Sequence, residues 1–173
     1  MNSMSRGYNG SCGKDNRKEE KCPTIIKCGC PSSNTIPEGT TATTTFTLAS
    51  LTLDTSCICD PSIKLEFASN PIYTGFEGTV NIQVFKQCRH QFTPVPVAPV
   101  WTLAEDTAVT SGRTFSFFIC DSDSCDHDCC TYTVVATVVG TDTVGTLAIN
   151  NATLGAIATC RESCKECKKG YDR

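Results

Sequence analysis

From about residue 40 onward, apolar and polar side chains alternate with a period of two, the pattern of half-buried β-strands. In "SIKLEF", Ile63, Leu65 and Phe67 share one face; Val80, Ile82 and Val84 do so in "TVNIQVFKQC", and Phe115, Phe117 and Ile119 in "RTFSFFIC". "TTTFTLASLTL" puts Phe46 and Leu48 on one face, then Leu51 and Leu53 after a one-residue slip, so a bulge near Ala49 and Ser50 is predicted to restore the register. "TYTVVATVV" aligns Tyr132, Val134, Ala136 and Val138, while "TVGTLAIN" and "ATLGAIATC" supply further strands on either side of a turn at Asn150 and Asn151. The proline-rich "TPVPVAPVW" cannot donate regularly to a ladder and is expected at a sheet edge or as a crossover. With a short strand around Trp101, about eight strands separated by Gly, Pro, Asn and Asp turns predict an all-β fold, an antiparallel β-sandwich of the jelly-roll kind. No helical period interrupts them.

The flanks have a different texture. Residues 1–36 are polar, rich in Gly, Ser, Asn and charge, and lack an apolar period; they are expected to form an extended N-terminal connector arm carrying Cys12, Cys22, Cys28 and Cys30. Residues 37–160 hold the predicted sandwich. The last segment, 161–173, is a charged tail or short helix that adds Cys164 and Cys167.

Composition changes this picture in one respect. Cys occurs 14 times in 173 residues, a density that belongs to oxidised disulfide frameworks. Yet "MNSMSRGYNGSCGKDNRKEEK" has no apolar h-region of the kind a secretory signal requires. Metal binding inside the cell, a signal already removed, or release when the producing cell lyses would each reconcile the two. A net charge of -3 argues against nucleic acid as a partner, and no apolar run reaches the length of a membrane-spanning helix.

Three chemistries compete for the thiols. Zinc sites are most recognisable as two Cys-x-x-Cys knuckles, and only Cys164 and Cys167 form one; Cys125, His127 and Cys129 offer another ligand set. The acidic series Asp121, Asp123, Asp126 and Asp128 fails as a calcium loop, since a Gly is needed where Asp126 stands and a Glu where Tyr132 stands. An exposed acidic turn is the simpler reading, and no metal or cofactor is expected. Thiol catalysis fares no better: Cys88 with His90, or Cys125 with His127, lacks an orienting third group and an oxyanion site, so an enzyme is not expected. Asn151-Ala152-Thr153 has the form of a glycosylation sequon but reads as a turn.

Covalent scaffolding fits the spacings. Cys28 and Cys30, like Cys57 and Cys59, lie two positions apart, poorly placed to bond each other and well placed to reach two neighbours on one side. Adjacent Cys129 and Cys130 face opposite sides of a strand. Cys88, Cys120 and Cys160 fall at strand ends, so Cys57, Cys59, Cys88, Cys120, Cys125, Cys129, Cys130 and Cys160 are candidates for disulfides within the domain or at its rim. The roughly 20 residues of the arm between Cys12 and the first strands, spanning about 65 Å when fully extended, reach a second subunit as readily as their own domain. Cys12, Cys22, Cys28, Cys30, Cys164 and Cys167 are therefore candidates for links between subunits.

The phrases "CPTIIKCGCP", "TLASLTLDTSC", "IKLEFASN", "CTYTVVATV" and "INNATLGAIATC" resemble a family of Cys-rich proteins from anaerobic spore-forming bacteria, over most of residues 22–160. The architecture is also similar to the endospore-appendage pilins of the Ena type. That resemblance implies a Cys-bearing connector, a jelly roll, assembly without a signal peptide, and a homopolymeric filament on the spore surface held by disulfides to earlier subunits. Appendage connectors carry an adjacent Cys pair, which this arm lacks. The expected function is thus a non-enzymatic fibre subunit whose partner is itself, with other spore-surface proteins as further partners. A cross-linked spore-coat or exosporium matrix protein and a thiolate metal binder are the alternatives.

Overall fold

The computed structural model describes residues 23–58, 60–89, 91–122 and 129–161. Cys12, Cys22, Cys59, Cys125, Cys164 and Cys167, together with His90 and His127, lie outside these residues. Among the described residues every regular element is a strand: β1 (Ile25–Cys28), β2 (Ser32–Ile36), β3 (Thr45–Asp54), β4 (Pro61–Cys88), β5 (Val95–Pro96), β6 (Trp101–Gly112), β7 (Phe115–Asp121) and β8 (Cys129–Cys160). All pairings are antiparallel.

Two very long strands organise the fold. β4 and β8 pair along nearly their whole lengths, from Pro61 opposite Cys160 to Cys88 opposite Cys130. On its other side β4 takes β7 along Ile63–Ser69, β6 along Ile72–Ile82 and β5 at Phe85 and Lys86. On the far side of β8, its C-terminal half pairs with β1 and β2 and its N-terminal half with β3. Because both long strands bend at mid-length, the eight-stranded sheet curls over so that its two halves face one core. Leu65, Phe67, Val80, Ile82, Val84, Tyr132, Val134, Leu147, Ile149 and Leu154 are all buried there at alternate positions. Each such side chain contributes about 1.5–3 kcal/mol through apolar area removed from water.

The bend is made by glycine. Register shifts between Thr74 and Thr79 coincide with Gly75 (φ 55°) and Gly78 (φ 153°), and β8 turns at Gly140 (φ 82°) and Gly145 (φ 63°). A Cβ on Gly145 would lie 2.1 Å from the Gly75 carbonyl oxygen, so the two strands cross the corner at a distance only glycine permits. Thr143, buried at the same corner, donates to the Pro37 carbonyl at 2.9 Å and accepts from the Thr40 amide at 3.0 Å, which fixes the loop before β3. Trp101 stacks on Phe117 with ring centroids 3.8 Å apart, closing the core between β6 and β7.

The slip in "TTTFTLASLTL" is a bulge between Thr47 and Ala49, and Leu48, Leu51 and Leu53 are all buried. Two expectations are corrected. Ile25–Cys28 and Ser32–Ile36, expected as part of an extended connector arm, are strands β1 and β2 laid against β8. Their pattern is short and carries few apolar side chains, but an edge strand of four or five residues needs only one face and one ladder. Asn150 and Asn151 do not reverse the chain: Asn151 (φ 53°) is the extra residue of a bulge within β8, where pairing jumps from Ser32–Ala152 to Asn34–Ile149.

Candidate functional site

The cysteines fall into distinct environments. Cys88 and Cys130 stand directly opposite on β4 and β8 with Cα atoms 4.0 Å apart and form a disulfide at the closed end of the core. Both continue the inward alternation of their strands, so the bond is buried. Cys57 and Cys160 each also take part in a disulfide. Cys129, next to Cys130, turns the other way and is half-buried. Cys28, Cys30 and Cys120 are exposed, unbonded thiols. Cys120, expected among the rim-stitching cysteines, points outward because Ile119 and Asp121 on either side of it point in.

Register places two of these thiols on one outer face. Ile26 pairs with Ile157, Ile157 with Lys64, and Lys64 with Cys120, so these four form a row across β1, β8, β4 and β7. The next row runs Cys28, Gly155, Glu66, Phe118 by the same register. Ile26 (71 % exposed), Phe118 (65 %) and Ile157 (39 %) make this face unusually apolar. At its centre Lys64 pairs with Glu66, and the Lys64 ammonium lies 5.2 Å from the Phe118 ring centre. Cys28 and Cys120 sit at opposite edges, three strand spacings or about 14 Å apart, well beyond the Cα separation a disulfide spans. On the described sheet they cannot oxidise to each other.

A second cluster lies inside. Along β4 the buried stripe Val80, Ile82, Val84 continues to Lys86, and along β7 the inward positions end in Asp121. Lys86 Nζ lies 2.8 Å from Asp121 Oδ2, with both side chains only 4 % exposed. The Tyr132 hydroxyl donates to the same oxygen at 2.7 Å. Tyr132 is the cross-strand neighbour of Lys86, whereas Asp121 comes from the opposite half of the curled sheet, so the contact crosses the core. A cleft of about 460 Å³, lined in part by Val95, Pro96, Val97 and Cys120, opens over the pair. The sequence signal for this cluster is a lysine at an inward phase of a strand, a position that ordinarily holds a hydrophobe.

Two further groups depart from ordinary titration. Burial pushes the Tyr73 phenol above its usual pKa, and its hydroxyl, beneath the Arg113 guanidinium 4.6 Å from the ring centre, is enclosed with no hydrogen-bond partner. Hydrogen bonds from the Ser56 side chain and amide hold the Asp54 carboxyl below its usual value and fix the turn after β3. Among the described residues no group of three or more His, Cys, Asp or Glu side chains is placed to hold a metal ion.

Several solved structures superpose on this chain in part, at low identity. A chain from the infectious bursal disease virus Gt strain superposes with TM-score 0.47 at 9 % identity, covering 93 % of this chain and 47 % of that one. Eiger TNF from S. frugiperda gives 0.42 at 6 % identity, covering 78 % and 92 %. A carbohydrate-binding module specific for non-crystalline cellulose, CBM28, gives 0.36 at 14 % identity, covering 64 % and 72 %. The chain thus spans about half the length of the virus chain it matches. No curated protein sequence matches it. Residues 22–159, which include every strand but the last residue of β8, match the model of a domain of unknown function, and the chain belongs to that family, DUF4489.

Proposed function

We propose that this protein is the structural subunit of a self-assembling, disulfide-stabilised extracellular filament, an endospore appendage reached without secretion when the mother cell lyses. The observation that carries the reading is the outer sheet face on which exposed Cys28 and Cys120 flank Ile26, Ile157 and Phe118. Thiols about 14 Å apart need other partners, and the apolar surface between them favours a second protein over water. The fitting partner is another copy of this chain. A head-to-tail contact brings Cys28 of one copy to Cys120 of the next and leaves each copy's other thiol for the following neighbour, so the contact does not close and propagates into a filament. Edge strands β1, β3 and β7, each laddered on one side among the described residues, leave further backbone groups for pairing.

Electron microscopy of the purified full chain tests the proposal. Regular filaments that resist boiling detergent and fall apart with reductant are expected. Ser replacements at Cys12, Cys22, Cys28 and Cys30 should leave the domain folded and abolish that resistance. Amorphous disulfide-linked aggregates would favour an irregular coat matrix instead. Monomers whose thiols resist alkylation until a chelator is added would replace both readings with metal binding.

A further inference from the structure

We infer that Lys86 and Asp121 are the reactants of an intramolecular isopeptide bond, an amide between Nζ and Cγ that ties the two halves of the curled sheet through the core. Three observations meet at one point. The amine and carboxylate are in contact at 2.8 Å, both are 4 % exposed, and a tyrosine hydroxyl donates at 2.7 Å to the carboxylate oxygen that the amine touches. Buried Val84 and Cys88 flank Lys86 two positions away on either side along β4, and buried Ile63 is the cross-strand partner of Asp121.

A buried ion pair suits a permanent salt link poorly, because desolvation falls on each charge and attraction repays it only in part. Condensation begins when one proton passes from the ammonium to the carboxylate it touches, leaving an amine and a carboxylic acid. With Nζ in hydrogen-bond contact with Oδ2, its lone pair stands about 3.5 Å from Cγ, the range of a near-attack geometry. Addition forms the Nζ–Cγ bond and a tetrahedral centre whose Oδ2 is held by the Tyr132 hydroxyl, a donor fixed where charge develops. A second proton moves from nitrogen to the other carboxyl oxygen, the bond from Cγ to that oxygen breaks, and water leaves through the cleft beside Val97. One amide forms and one water is lost; neither an oxidant nor a cofactor is consumed.

The bond has a clear mechanical role. β7 pairs with the N-terminal half of β4, so the backbone ladder does not tie Asp121 to the end of β4 where Lys86 lies. An amide there joins strand ends that the ladder does not, and reductants do not open it.

Mass spectrometry of the folded full chain, reduced, alkylated and denatured, decides the matter. The expected mass is that of the fully alkylated sequence less one water. Trypsin should leave Lys86 uncut and release residues 65–89 joined to residues 114–161. Asp121→Asn should lose one ammonia instead of one water relative to its own sequence, and Asp121→Ala should show its full sequence mass. A full sequence mass for the wild-type chain, or a water loss confined to one linear peptide, would overturn the inference. Neither outcome depends on whether the chain polymerises.

Discussion

Replacing Gly145 with alanine tests the corner that lets the sheet close. An ideal Cβ at residue 145 falls 2.1 Å from the Gly75 oxygen, 2.5 Å from the Gly75 carbon and 2.6 Å from the Thr74 oxygen, all of them backbone atoms. Relief requires one long strand to move by about 1 Å against the other, an overpacking penalty of about 1–3 kcal/mol or more. To this is added about 1–2 kcal/mol for an L-residue at φ 63°. The unfolded chain loses freedom with alanine, which returns about 0.4–1 kcal/mol. The net loss is about 3 kcal/mol. Gly140 is the internal control: its φ is 82°, but nothing lies within 4 Å of the position a Cβ would take. Gly140→Ala should therefore cost only the backbone penalty less the entropy gain, about 1 kcal/mol. Urea unfolding followed by fluorescence of Trp101, the single tryptophan, measures both variants in one buffer. Thermal midpoints should fall by about 10 °C for Gly145→Ala and about 3 °C for Gly140→Ala. Equal losses in the two variants would mean that the strands do not cross as closely as drawn.

Removing the Cys88–Cys130 disulfide by double alanine substitution frees a loop with a sequence separation of 42. By chain entropy it should lower stability by about 4 kcal/mol, read as a shift in the urea midpoint at unchanged slope. Tyr73→Phe deletes an enclosed hydroxyl with no partner and should raise stability by about 1 kcal/mol. The same substitution should alter the alkaline limb. Burial raises the folded Tyr73 pKa, so this group's stabilisation is complete below the unfolded value near 10 and drains away as pH rises toward the folded one. Wild type should lose more stability than Tyr73→Phe between pH values of about 9 and 11, with thiols blocked throughout. Phe118→Glu, on the exposed apolar face, should change folding stability by no more than about 0.5 kcal/mol. It should nonetheless reduce self-association by sedimentation; unchanged assembly would remove this face from the interface.

The strand content was legible because the core is a period-two core. Ile63, Leu65, Phe67 and Val80, Ile82, Val84 all point inward as their alternation requires. What alternation alone does not reveal is continuity. "SIKLEF" and "TVNIQVFKQC" read as separate strands, but they are the two halves of β4, joined across Gly75 and Gly78. A glycine or asparagine in the left-handed region serves a bulge or a corner as well as a turn, so Asn151 marks an irregular position without saying that the chain reverses. The thiol-bearing face depends on register between β1, β8, β4 and β7, which is long-range information. Lys86 was visible: the same alternation that buries Val84 buries the residue two positions on. Its partner was not, since Asp121 lies 35 residues away in an acidic stretch that reads as solvated surface.

In the proposed filament, the placement of the two kinds of cross-link implies an order of failure. Thiolate exchange needs access to sulfur, and Cys28 and Cys120 are exposed whereas Cys88 and Cys130 are buried. A mild reductant therefore reaches bonds between copies first and leaves the subunit's own staple shut until the end of the core opens. An amide from Lys86 to Asp121 would persist even then, keeping β4 and β7 together across the core. A polymer built this way comes apart into folded subunits before any subunit unfolds, since its weakest covalent joints lie on the outside.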